Sequence, residues 1–142
     1  MFSFKLQKVL DYKQALEEEK KQQLGEAFRG QHREETLLIQ YKEEKQAVQQ
    51  PVSGPIDLNS LMHTHYYLNV LEEQIDAQTQ RLSTAENMVK EKRAELVSAM
   101  QERQVLDKLK ERQQERYVYE FNVKQQKLLD EVATTSFVRK ES

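Results

Sequence analysis

The chain has 142 residues, 32% of them charged and none of them cysteine, with a net charge of -2, a pI near 6.0 and a mean hydropathy of -0.89. The absence of cysteine excludes disulfides, thiolate metal sites and a cysteine nucleophile, and the near-balanced charge gives no basic stripe for nucleic acid. So little apolar material leaves a choice between extended helical structure and disorder, with little for a globular core.

The N-terminus, M-F-S-F-K-L-Q-K-V-L-D-Y-K, is charged by residue 5 and lacks the apolar core of about 7–15 residues that a signal peptide needs. No run of about 18 apolar residues occurs that could span a membrane. The expected setting is the cytoplasm, with membrane association only peripheral and through a partner.

A first helix is expected over about residues 3–50. Its apolar residues, Leu6, Val9, Leu10, Leu16, Leu24, Ala27, Phe28, Leu37, Leu38, Tyr41 and Val48, are mostly spaced by three, four or seven. The middle of this arm, Glu17 to Glu35, is polar, and Gly25 and Gly30 each cost about 1 kcal/mol relative to alanine in a helix. That middle reads as its weak part.

Residues 51–56 interrupt the pattern. Gln49-Gln50-Pro51-Val52-Ser53-Gly54-Pro55 holds both prolines and one of the three glycines. Proline stops the first helix, Gly54 allows a reversal, and Asp57 or Asn59 can cap a second helix. A short turn between long helices predicts an antiparallel hairpin.

The second helix is expected over about 57–138. From Ile56 to Ser142 there are 87 residues without glycine or proline. Leu61, Leu68, Ile75, Leu82, Val89 and Leu96 are each seven apart, and Leu71, Ala85, Ala99 and Leu106 supply the companion positions of a heptad seam. The predicted fold is therefore all-α, a long two-helix antiparallel coiled-coil hairpin with the C-terminal helix the longer. Its arms would measure roughly 70 and 125 Å at the helical rise.

With the fold-back placed near Gly54, Leu6 is expected opposite about residue 100, leaving residues beyond about Leu106 without an intramolecular partner. The seam also changes phase there. Arg103 and Lys110 replace apolar residues, and a new stripe runs through Tyr117, Phe121, Leu128 and Val132, as a stutter produces. Tyr119, Leu129 and Phe137 add apolar surface. An isolated helix of this kind is marginal in water, so the stretch is either a frayed tail or a segment held by another protein.

Charge is segregated as well. Residues 46–80 hold four acids (Asp57, Glu72, Glu73, Asp76) and no lysine or arginine, whereas residues 81–116 hold nine bases against seven acids. Such asymmetry either orients a rod between partners or is simply solvated surface.

Motifs for catalysis are missing. His63 and His65 point about 200° apart on a helix, three isolated glycines make no phosphate loop, and Glu17-Glu18-Glu19 fan around the helix. No arrangement of nucleophile and base has a cleft to hold it. The chain reads as a non-enzyme with no cofactor and no metal.

The run His65-Tyr66-Tyr67-Leu68 is denser in large side chains than a two-residue seam needs. Leu68 and Leu71 fit the seam, while Tyr67, Gln74 and Gln78 follow a neighbouring face. Tyr67 is either a cover for the seam or a docking anchor of the kind found at hot spots.

The opening F-S-F-K-L-Q-K-V-L-D-Y-K followed by E-E-E, and the ending K-Q-Q-K-L-L-D-E-V-A-T-T-S-F-V-R-K, resemble the terminal signatures of the flagellar FliJ family. The resemblance spans the whole chain, from Phe4, Leu6, Leu10 and Tyr12 to Asp130, Glu131, Phe137 and Arg139, with the single Pro/Gly break between. It implies a soluble component of the flagellar type III export apparatus, with a hairpin similar to the central stalk of rotary ATPases. The implied partners are the export ATPase (FliI-like), its regulator (FliH-like), the export gate (FlhA-like) and export chaperones that it escorts. On this reading Tyr67, Leu71, Gln74 and Gln78 are the candidates for the gate. Phe4, Leu6, Leu10, Tyr117, Phe121, Leu128 and Val132 are those for the ATPase ring. The sequence departs from a generic member in having few aromatics in the middle of the first arm. The stalk protein of a virulence type III system, a plain structural coiled coil and a holdase chaperone are the rival readings.

Overall fold

The computed structural model describes residues 1–51, 54–55 and 57–141. Of the expected hinge, Val52, Ser53 and Ile56 lie outside the described residues, as does Ser142. Among the described residues there are two helices and no strand: α1, Gln7–Gln49, and α2, Leu58–Glu141. They pack against each other as an all-α helical hairpin. α1 starts later than the expected residue 3, because Phe4 to Leu6 form a turn in which the Gln7 amide donates to the Phe4 carbonyl at 3.1 Å.

The helix ends obey local chemistry. Pro51 comes just after the end of α1, and Gly54 sits at φ 129°, a conformation that side chains with a Cβ rarely adopt. Of the two expected caps, Asp57 is the one used. Its Oδ1 accepts from the Asn59 amide at 3.4 Å and its carbonyl from the Leu61 amide at 3.0 Å. Arg139 and Lys140 in the last turn of α2 complement the negative end of the helix dipole.

Two compact units form along the chain. One is Met1–Glu17 with Ala99–Ser142, and the other is Glu18–Ser98.

In the unit of residues 18–98, α2 turns Leu68, Leu71, Ile75, Gln78, Leu82, Ala85, Val89, Lys92 and Leu96 inward. α1 answers with Lys20, Leu24, Ala27, Gln31, Glu34, Leu38, Tyr41, Lys45 and Val48. Both series alternate steps of three and four, the spacing of a coiled-coil seam. The order is antiparallel: Lys45 meets Glu72 at 3.5 Å and Lys20 meets Glu95 at 3.3 Å. Burying Leu38, Leu71 and Val89 supplies about 1.5–3 kcal/mol each. Much of the remaining seam is polar. Between Glu17 and Glu35, where weakness is expected, the inward residues are mostly polar and α1 runs through unbroken.

In the unit holding both termini, Leu10 is 2% exposed, and Phe4 and Ala99 are also buried. Lys13 reaches Glu102 at 2.9 Å, and Arg103 donates to Glu17 and Asp107. These pairs put Leu6 level with about Leu109 and Lys110, which corrects the register expected from a fold-back centred on Gly54. The correction has a plain cause. The opening of α2, Leu58 to Tyr67, is exposed throughout and Leu68 is the first residue tucked inward, so pairing begins well after α2 does. Leu61, expected in the seam, is accordingly exposed.

The expectation that nothing beyond Leu106 has a partner in the chain is also overturned. Lys110 is half-buried, and the Phe2 ring lies 5.7 Å from that of Tyr117. The N-terminal segment, read as the simple start of a helix, runs on past Leu10 to cover α2. From Val118 onward all described side chains of α2 but Val123 are exposed.

Candidate docking surfaces

The residues expected at the gate fall into two groups. Leu71 and Gln78 are each 1% exposed, so their side chains are spent inside the seam. Gln78, read as part of a neighbouring face, is corrected to an inner position. Its Nε2 donates to the Glu34 carbonyl at 3.0 Å and to the Glu34 carboxylate, while its Oε1 finds no protein partner. Tyr67 and Gln74 remain on the surface, and the Tyr67 hydroxyl lies 3.4 Å from Glu44 of α1.

The residues that sequence reasoning missed are beside them. Leu58, Leu61, Met62 and Tyr66 are all exposed, and their spacing of three and four sets them on one helical face. The signal was in the sequence, but the heptad count assigned Leu61 to the seam. The acids Asp57, Glu72, Glu73 and Asp76 nearby are exposed as well, and Lys45 offsets one of them.

The residues expected at the ATPase ring divide likewise. Phe4 and Leu10 are buried within their unit and hold the N-terminal segment on α2, whereas Leu6, Tyr117, Phe121, Leu128 and Val132 are exposed. On α2 the last four are joined by Val118, Tyr119, Leu129, Phe137 and Val138. Large apolar side chains at this density on one helix are the strongest candidate for a protein interface in this unit.

The charged groups serve architecture. Glu17, 6% exposed, lies in the seam with Arg103, and the Glu17 carboxylate, then Asp107, holds the Arg103 guanidinium above its ordinary value. Arg103 is thus charged at every working pH. The Glu95 carboxyl is held below its ordinary 4.5, first by the hydrogen bond from Lys20. Arg93 lies over the Phe28 ring at 5.6 Å, covering an aromatic that the seam leaves outside. Among the described residues no group of three or more His, Cys, Asp or Glu could hold a metal ion, and no helix is long and apolar enough to cross a membrane.

The model of the flagellar FliJ protein family matches residues 2–142. The chain therefore belongs to the FliJ family and is a flagellar export-related protein. Neither the curated proteins nor the solved structures give a match.

Proposed function

We propose that this member of the FliJ family is a non-enzymatic, stalk-like component of the flagellar type III export apparatus, working in the cytoplasm. Its terminal unit engages the export ATPase ring, and its other unit engages the export gate. The observation that carries this reading is the run of exposed apolar side chains on α2 after Tyr117, Val118 to Val132 above all. A helix that exposes so much apolar surface gains several kcal/mol when a partner covers it, at about 1.5–3 kcal/mol per large side chain. Phe4 and Leu10 contribute by fixing the N-terminal segment against α2, and the contact itself falls to Leu6, Tyr117, Phe121, Leu128 and Val132. The exposed opening of α2 is the surface for the gate, with Tyr67 and Gln74 at its edge. The ATPase regulator and the export chaperones complete the set of partners that the family reading brings.

Such a stalk speeds ATP hydrolysis only by binding some ring states better than others, since a ligand shifts an equilibrium by differential affinity alone. Hydrolysis by the purified ATPase with and without the full chain tests the reading. Phe121→Asp with Leu128→Asp is expected to abolish stimulation while leaving the thermal unfolding of the chain unchanged. Full stimulation by that variant would remove the tail from the ring contact.

A further inference from the structure

We propose that the free chain self-associates through residues 118–139 of α2, as a symmetric antiparallel pair of helices. The inward seam of the terminal unit ends at Lys110, and the apolar residues beyond it do not keep its phase. Val118, Phe121, Gln125, Leu128, Val132 and Thr135 recur at alternating steps of three and four. They form a heptad seam of their own, one residue out of step with the inner one. Its four apolar members are all exposed.

Charge decides the occupant of this seam. In an antiparallel pair, the residues preceding the first apolar position of each heptad face one another across the two chains. In this stretch the charged residues at those positions are Lys124 and Glu131. The register that seats Phe121 on Val132 of the second copy, and Gln125 on its Leu128, sets Lys124 against Glu131 twice by symmetry. Sliding the copies one heptad either way opposes Lys124 to Lys124 or Glu131 to Glu131. A parallel pair gives these charges only Leu129 and Ser136 to face. One arrangement therefore satisfies both the apolar stripe and the charges, and it closes on itself as a two-fold dimer must.

The two charges are also uncommitted. Both side chains are exposed, and among the described residues neither is in an ion pair. The neighbouring Glu120 and Asp130 already bond Arg116 and Gln126 along the helix. Gln125, set against Leu128 of the second copy, costs the seam stability, and a seam of three heptads belongs with small reversible interfaces, below about 1,200 Å². The dimer is thus weak and exchanges with monomer. It occupies the same stripe proposed for the ring, so the two associations compete, but the pairing argument does not rest on the ring reading.

Sedimentation equilibrium of the full chain at low salt, from low micromolar to several hundred micromolar, is expected to show a reversible monomer–dimer equilibrium. Lys124→Glu or Glu131→Lys alone puts like charges at both contacts and is expected to raise the dimer Kd about tenfold. An equimolar mixture of the two variants restores wild-type association, because each supplies the charge that the other lacks. Circular dichroism confirms that the variants keep their helicity. In the cysteine-free background, chains carrying Phe121→Cys and chains carrying Val132→Cys form a mixed disulfide on mixing, in preference to either like pair. A chain that stays monomeric throughout, a mixture that does not restore pairing, or a preference for like disulfides overturns the proposal.

Discussion

Within α2, residues 68–110 and residues 118–141 are built from similar amino acids and are helical alike, yet only the first stretch has a buried or half-buried side chain at every third or fourth position. The difference lies in the surface opposite each. The first is met by α1 and by the N-terminal segment, residue against residue, while in the second every described side chain but Val123 is exposed. Helix propensity is shared by both; packing separates them. In the paired stretch the apolar contacts carry the stability and the polar pairs set register. In the other, the same kinds of side chain stay exposed.

The largest expected effect breaks the comparison at its strongest point. Leu71→Ala leaves a cavity at a 1% exposed position and is expected to cost about 2–5 kcal/mol in chemical denaturation. Leu128→Ala in the exposed stretch changes stability by about 0.5 kcal/mol at most in dilute solution. Next comes the weak middle of α1. A Cβ added at Gly30 meets nothing within 4 Å, so Gly30→Ala is expected to stabilise the chain by about 1 kcal/mol through helix propensity, seen as a raised melting temperature.

Smaller again is the effect at the polar seam. Gln78→Leu removes an amide whose oxygen lacks a protein partner and leaves the Glu34 carboxylate free to turn to water. The variant is expected to lie within about 1 kcal/mol of wild type and on the stabilising side, as apolar replacement of an imperfectly satisfied buried group does. A loss well beyond that range would show that the Gln78–Glu34 bond stabilises as well as aligns. The smallest effect is that of pH. Because Glu95 is held below 4.5 by Lys20, the unfolded chain takes up that proton first as pH falls. The contribution is complete above 4.5 and fades as pH drops through the folded value. Glu95→Gln is expected to flatten the dependence of melting temperature on pH in that acidic window.

The heptad residues Leu68, Leu71, Ile75, Leu82, Val89 and Leu96 announced the inward face of α2, because apolar periodicity is a local property of sequence. The partner face of α1 was legible in part, at Leu24, Ala27, Leu38, Tyr41 and Val48, and hidden elsewhere, since Lys13, Glu17, Lys20, Gln31 and Glu34 look like surface until their partners are known. Register was misjudged for a related reason. Nothing in Pro51 to Pro55 tells how far α2 extends before it pairs, and only crossed contacts such as Lys13–Glu102 fix it. The same gap explains the candidate sites. The exposed Phe121, Leu128 and Val132 were legible as a stripe out of phase, whereas the burial of Leu10 and Gln78 depends on the residues across from them.

Amide hydrogen exchange along α2 of the free chain, kept dilute enough to be monomeric, tests the central claim most directly. Slow exchange from Leu71 to Leu106 and fast exchange beyond about Val118 are the predicted result, with the fast region alone slowing when the export ATPase is added. Equal protection along the whole of α2 in the dilute free chain, or a tail that stays fast with the ATPase present, would contradict it.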